Sequence, residues 1–257
     1  MIDIHAHLLP NVDDGSQDIE TSRELLINAL NEGITDICLT PHFCRVDNYV
    51  LKKEAIIKRF LDFKKQVNDI KINLYLGNEI MIERNIDKII EEKQLITLNN
   101  SNYVLVEFPF DKYLLEYDDY LYDIQSLGLK IIIAHPERYQ FVDLDLINKW
   151  LKEGYYLQAN SLSFEVKEKR SLLYKLIENG QLHLIASDAH SIYRPSTLKS
   201  AYDTIARKFN EETANLLMYT NPYNVINNKE IIRPNKVKKK LFNLWRRRKS
   251  QLLLFCF

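Results

Sequence analysis

The chain has 257 residues, 46% hydrophobic and 27% charged, and its 35 basic and 35 acidic side chains cancel to a formal net charge of zero. That is the balance of an ordinary globular protein with a substantial core, and no apolar run approaches the roughly 20 residues of a membrane-spanning helix. Three cysteines, Cys38, Cys44 and Cys256, exclude a disulfide framework and fit a reducing cytosol.

The chain opens on Ile2-Asp3-Ile4-His5-Ala6-His7, whose alternation reads as a short strand. His5 and His7 are two residues apart and so share a face. A polar loop, Leu9 to Ser16, leads into a helix over Ile19 to Glu32, with Gly33 as its C-cap. A buried strand follows from Thr35 to Thr40, then a charged helix over Val50 to Asn68. The third strand, Ile72 to Gly77, precedes a helix near Ile86 to Glu92, and the fourth, Tyr103 to Val106, precedes one over Asp118 to Leu127. Lys130 to Ala134 and Leu144 to Lys152 form the fifth pair, and Tyr155 to Ala159 with Lys167 to Asn179 the sixth. The seventh strand, His183 to Ala186, leads to helices over Ser196 to Lys208 and Glu211 to Tyr219. Repeated strand–helix units imply a parallel α/β fold, and seven of them suggest a closed or nearly closed TIM-like (β/α)7 barrel.

Active sites of such barrels gather at the C-terminal ends of the strands. Those ends here carry His5 and His7, His42, Glu79, Glu107, His135, and Asp188 with His190, so five of the six histidines lie there. A lone His-x-His fits surface or capping residues equally well; the concentration along the chain is what favours metal binding. Imidazoles with carboxylates suit Mn, Fe or Zn, and so many candidates point to a cluster of two or three ions. Such a cluster supplies a metal-activated hydroxide and neutralises phosphoryl oxygens, which makes phosphoester hydrolysis the natural reaction.

Arg138, three residues after His135, is the candidate phosphate clamp, and Arg194, four after His190, a second. Asp13 and Asp14 on the first loop read equally as turn formers, and Asn160 as a cap. No cysteine has an arginine six positions on, as a cysteine-based phosphatase loop needs: Arg45 is seven after Cys38, and Val50 is six after Cys44.

Taken together, Asp3-Ile4-His5-Ala6-His7-Leu8-Leu9-Pro10, Asp13-Asp14-Gly15, Thr40-Pro41-His42, Gly77-Asn78-Glu79, Glu107-Phe108-Pro109, His135-Pro136-Glu137-Arg138-Tyr139, Gln158-Ala159-Asn160-Ser161 and Ser187-Asp188-Ala189-His190 resemble the PHP (polymerase and histidinol phosphatase) superfamily. More narrowly, they resemble its bacterial protein-tyrosine phosphatase branch, found with capsule and exopolysaccharide synthesis genes, to which Glu107 also points. The resemblance runs to about residue 225. It implies a distorted seven-stranded barrel with three Mn ions. His5, His7, Glu79 and Asp188 would hold the first, Glu79, Glu107 and His135 the second, and Asp14, His42 and His190 the third. Arg138 would bind phosphate; Arg194 aligns less cleanly with the family's second arginine. The implied substrate is a phosphotyrosine protein, a membrane-associated bacterial tyrosine kinase of polysaccharide export.

The division expected is a phosphatase barrel over residues 1–230 and a basic tail over 231–257. No acidic residue follows Glu230, whereas Lys236 to Lys249 is strongly basic with Leu241, Phe242, Leu244 and Trp245 interleaved. That pattern fits an amphipathic helix on an anionic membrane, or a solvated end. A cytoplasmic enzyme peripheral to the inner face of the membrane is therefore expected. The basic run is far from the barrel mouth, which argues against nucleic acid. A histidinol-phosphate-type small-molecule phosphatase and a non-catalytic metal-binding scaffold are the alternatives. The apolar end, Leu252 to Phe257, has no evident role.

Overall fold

The computed structural model describes residues 1–44, 47–83, 86 and 94–239. The helix expected near Ile86 to Glu92, Arg45, the basic amphipathic segment beyond Lys239 and the apolar end lie wholly or mostly outside them. Nine strands are present among these residues: β1 (Ile2–Ala6), β2 (Asp36–Leu39), β3 (His42–Phe43), β4 (Asn73–Leu76), β5 (Glu79–Met81), β6 (Tyr103–Glu107), β7 (Lys130–Ala134), β8 (Tyr156–Asn160) and β9 (Leu184–Ala186). All pairings between named strands are parallel, in the orders β1-β2-β4 and β3-β5-β6-β7-β8-β9.

Two of the seven expected staves are broken. Pro41, which cannot donate to a ladder, separates β2 from β3, and Gly77-Asn78 separates β4 from β5. Buried Asn78 bridges the breaks by donating Nδ2 to the Pro41 carbonyl at 2.8 Å. Each stave thus transfers from the smaller sheet to the larger one at its C-terminal end. The ring closes where Asp188 N donates to the His5 carbonyl and His7 N to the Ala189 carbonyl, both at 2.8 Å. The result is an α/β barrel with helices outside.

Side chains from distant strands meet inside it: Ile2, Ile4, Leu105, Ile132 and Leu184 form one buried cluster. The opposite faces of the strands, with Val104, Ile133, Leu157 and Ile185, join the helices in a larger one. Helix Leu144–Lys152 has the bounds expected. The last helical segment is longer than expected, with a π turn over Leu216–Thr220 running into helix Asn221–Ile226.

The chain after this helix is stitched across the N-terminal ends of the strands. The Tyr103 hydroxyl accepts from Ile231 N at 3.1 Å and donates to the Lys229 carbonyl at 2.8 Å. Fully buried Asn221 donates to the His183 and Ile232 carbonyls and accepts from Ile232 N, each at 2.9 Å. Further on, Val237 N donates to the Glu178 carbonyl at 3.1 Å. Strand ends on this side carry the fold, and the opposite ends carry the site.

His183, the one histidine away from the strands' C-terminal ends, illustrates this. Its Nδ1 accepts from Leu157 N–H at 3.2 Å, so a second proton would set two donors against each other. Burial, reinforced by the Arg233 charge, pushes the imidazole down to about 3. The unfolded chain takes up this proton below about pH 6.5, whereas the folded one stays neutral. Stability from this group is therefore complete above about pH 6.5 and is lost as pH falls toward 3, at up to about 1.4 kcal/mol per unit. In urea titrations from pH 7 to 4, at equal metal loading, His183→Gln should show a shallower decline in unfolding free energy than wild type; equal slopes would contradict this role.

Candidate metal centre

The site is built at the C-terminal ends of the strands, and local departures from regular geometry aim its side chains. β1 carries one extra residue relative to β2, because Asp3 and Ala6 pair with Ile37 and Leu39. Simple alternation puts Ile4 and His5 on opposite faces. The bulge lets Ile4 fill the barrel while His5 and His7 still turn inward above it. β3 and β5 pair with His42 directly opposite Glu79, and Met81 lies opposite Glu107. Tyr103, Leu105 and Glu107 share a face by strand alternation, as do Tyr156, Gln158 and Asn160. His135 and Asp188 reach inward through left-handed backbone, at φ 32° and 54°. Neither is glycine, and such strain concentrates at functional sites.

The nine expected ligand residues meet in one place. His5 Nε2 and His7 Nε2 lie 3.0 and 3.1 Å from Glu79 Oε2, and 3.4 and 3.5 Å from Asp188 Oδ1. His42 Nδ1 is 2.9 Å from Glu107 Oε1 and 3.3 Å from Glu79 Oε2, and its Nε2 is 3.3 Å from Asp14 Oδ1. His135 Nε2 is 2.9 Å from Glu79 Oε1 and 3.9 Å from Glu107 Oε2, and His190 Nε2 is 3.6 Å from Asp14 Oδ1. Among the described residues, three groups have ligand atoms all within 4.8 Å of one another: His5, His7, Glu79 and Asp188; His7, Asp14, His42 and His190; and His42, Glu79 and Glu107. In the third group His42 stands where the motifs place His135; the two imidazoles approach different oxygens of Glu79, His42 at Oε2 and His135 at Oε1.

Metal ions fit this donor set. Glu79 Oε2, Glu107 Oε1 and His42 Nδ1 are buried and make no hydrogen bond, although they converge on one another. Lone pairs aimed at a common centre suit an ion better than each other.

The imidazoles are also held in the required orientation from behind. His5 Nδ1 meets Gln158 Oε1 at 2.9 Å, His7 Nδ1 meets Asp13 Oδ2 at 2.8 Å, and His190 Nδ1 meets the Asp188 carbonyl at 2.9 Å. Each oxygen fixes the proton on Nδ1 and leaves Nε2 free to ligate. Asp13, readable in the sequence only as a turn former, thus has a second role; it also accepts from His42 N at 3.0 Å and Gly15 N at 3.0 Å. Gly15 is required by contact, since a Cβ there would sit 2.1 Å from the His7 carbonyl oxygen. Gln158 enters the sequence reading only within a family motif and with no role of its own; its inward parity with Tyr156 and Asn160 was the signal available for one.

The packed carboxylates and imidazoles shift one another's titration. Burial works against charge on His42, yet Glu79, Asp14 and Glu107 outweigh it and raise the imidazole to about 12. His7 is likewise opposed by burial and His42 but raised to about 9 by Asp13 and Glu79. Burial dominates at His135, which falls to about 4, and at Glu107, which rises with help from the Glu79 charge.

Arg138 and Arg194 both reach Asp188 Oδ2, Arg138 Nη1 at 2.6 Å, and Asn160 Nδ2 adds a third donor at 2.9 Å. Asn160 is therefore more than a cap, although its Oδ1 also accepts from Leu162 N at 2.8 Å. Both arginines line a cavity of about 260 Å³ whose floor includes Glu79, Glu107 and Asp188.

Comparison with known proteins agrees with this geometry. YwqE of Bacillus subtilis, a tyrosine-protein phosphatase, is 33% identical over 245 residues, 91% of this chain and 92% of its own. CpsB of Streptococcus pneumoniae, also a tyrosine-protein phosphatase, is 30% identical over 88% of this chain and 98% of its own. A crystal structure from work on YwqE and CpsB, described as metal-dependent tyrosine phosphatases, superposes with a TM-score of 0.83 at 31% identity, covering 93% of this chain and all of that one. Histidinol phosphate phosphatase from Lactococcus lactis shares the fold alone, at a TM-score of 0.55 and 14% identity, over 93% of this chain and 98% of that one. The family model for capsular polysaccharide synthesis proteins CpsB/CapC matches residues 1–227, and the chain belongs to that family.

Proposed function

We propose that this chain is a metal-dependent protein-tyrosine phosphatase. The observation that carries the reading is the meeting of nine imidazole and carboxylate side chains around buried, unpartnered ligand atoms, with two arginines beside them. The metal set we assign is His5, His7, Glu79 and Asp188; Glu79, Glu107 and His135, with His42 within reach; and Asp14, His42 and His190, with His7 at its edge. Three Mn ions are the occupants proposed, with Fe or Zn as substitutes that the same donors accept. When bound, the ions supply Lewis acidity and a water made nucleophilic at neutral pH.

The chain's own residues do the rest. Asp13, Gln158 and the Asp188 carbonyl hold three imidazoles in the ligating tautomer. Arg138 is about a quarter exposed; one nitrogen rests on Asp188, and the rest of its fork borders the cavity, where it can clamp phosphoryl oxygens. Arg194 is assigned the same task from the loop after β9. We assign as substrate a phosphotyrosine protein, a membrane-associated tyrosine kinase of capsule synthesis; family membership supports the phosphotyrosine part of that reading.

The test is hydrolysis of a phosphotyrosyl peptide by purified protein, stripped by chelation and reloaded with Mn. We expect activity to disappear and return with the metal, and histidinol phosphate to be turned over far more slowly. Preference for histidinol phosphate would favour a small-molecule enzyme, and inactivity on both a scaffold.

We place the protein in the cytoplasm, at the inner face of the membrane, through the basic segment after Lys236. No described helix is long and apolar enough to cross a membrane. Each basic residue near an anionic surface contributes about 1 kcal/mol. Truncation after Lys239, which spares the Val237–Glu178 and Lys239–Glu178 contacts, should abolish sedimentation with phosphatidylserine liposomes; unchanged sedimentation would remove the membrane from the account.

A further inference from the structure

The cavity over the cluster is almost wholly charged or ligating, and among the described residues three apolar side chains line it: Tyr49, Met81 and Phe110. None is needed for a metal or for phosphate. At about 260 Å³ the space is small beside typical ligand clefts of roughly 300–1,000 Å³. It suits one phosphoryl group and little more than one attached group.

The two rings are firmly placed. Tyr49 exchanges backbone hydrogen bonds with Cys44, which directly follows β3, at 3.0 and 2.7 Å. Its ring lies nearly parallel to that of His42, with centroids 5.8 Å apart and planes 16° from one another. Phe110 stands on the loop after β6, with the Arg138 guanidinium carbon 4.8 Å from its ring centre. It keeps 40% of its surface exposed, an unusual allowance for a phenylalanine. One ring therefore adjoins a ligand and the other the phosphate clamp, and Met81 lies between them in chain order, registered against Glu107. These three side chains are the apolar part of the described wall that the ester substituent of a phosphoryl group beside Arg138 can meet.

We propose that Tyr49 and Phe110, with Met81 beside them, form the subsite for the aryl ring of the substrate and so determine selectivity for phosphotyrosine over phosphoserine. This rests on the phosphatase reading above. An aromatic leaving group gains ring–ring and sulfur–ring contacts here. An alkyl leaving group gains neither and leaves Phe110 wet.

The experiment compares kcat/KM of the Mn-loaded enzyme for a phosphotyrosyl and a phosphoseryl peptide of otherwise identical sequence. Wild type, Phe110→Leu, Tyr49→Leu and the double variant are measured. In parallel, inhibition constants are measured for benzylphosphonate and methylphosphonate, which no phosphatase turns over. Each single substitution should lower the tyrosine-to-serine ratio about 2- to 10-fold, chiefly through KM, and the benzyl-to-methyl affinity ratio by a similar factor. The double variant should approach the product of the two. Equal losses on both peptides would mean the rings merely support Arg138 and His42, and would overturn the proposal, as would unchanged ratios. A wild type active on both peptides without preference also overturns it while leaving the hydrolase intact. A wild type inactive on both peptides removes the phosphatase reading, and the phosphonate ratios then decide the subsite alone.

Discussion

Arg138→Ala is expected to retain its metal and lose about 10³-fold in turnover of a phosphotyrosyl peptide. Retention follows from the way Asp188 is held. Its Oδ2 keeps Asn160 Nδ2 and Arg194 as donors when Arg138 is gone, so Oδ1 still faces His5 and His7. The loss follows from charge. A phosphoryl group in transfer spreads negative charge over its equatorial oxygens, and a planar cation fixed beside them stabilises that distribution more than it stabilises the bound ester. Arg138→Lys should recover only part of the loss, because an ammonium cannot present two parallel donors. Elemental analysis and steady-state kinetics on one preparation make the check. Near-native turnover would reduce Arg138 to an ion pair at the rim.

Glu79→Gln should be more damaging and in a different way. Four imidazoles crowd this one carboxylate: His135 at Oε1, and His5, His7 and His42 at Oε2 within 3.0 to 3.3 Å. It belongs to two of the three ligand groups. The amide keeps the shape, removes the charge and replaces one oxygen by a donor. Metal content should fall by at least two ions per chain, and activity by more than about 10³-fold, since each lost ion withdraws several kcal/mol of charge stabilisation. A full complement of metal in this variant would show that Glu79 is not shared.

Much of this arrangement was legible before any coordinates. The strand ends were visible because buried parallel strands are largely apolar runs, and six of the seven lead into a His, Asp or Glu, the exception being Tyr155 to Ala159, which leads into Asn160. Helix Leu144–Lys152 has the expected bounds, and Asp143 caps it by accepting from Leu146 N, a role the sequence reading did not assign. Other features depend on partners that a single sequence does not display. β3 and β5 are two and three residues long, too short for any period to register. The β1 bulge is a mismatch between two strands, invisible in either alone. The left-handed turns at His135 and Asp188 occur at residue types that adopt them more often than other non-glycine residues but still in a small minority of positions, so residue type alone does not announce them. The strap from Lys229 to Val237 carries few apolar residues and is held by hydrogen bonds from Tyr103 and Asn221, over a hundred positions away in the first case. Likewise, the ring-orienting duty of Asp13 appears only when His7 and His42 are beside it.

Anomalous diffraction from crystals grown with Mn bears most directly on the shared cluster. Three peaks are expected in the barrel mouth: one among His5, His7, Glu79 and Asp188, one beside Glu79 and Glu107, and one among Asp14, His42 and His190. Peaks elsewhere on the surface, or a mouth without manganese density in crystals of active protein, would contradict the account.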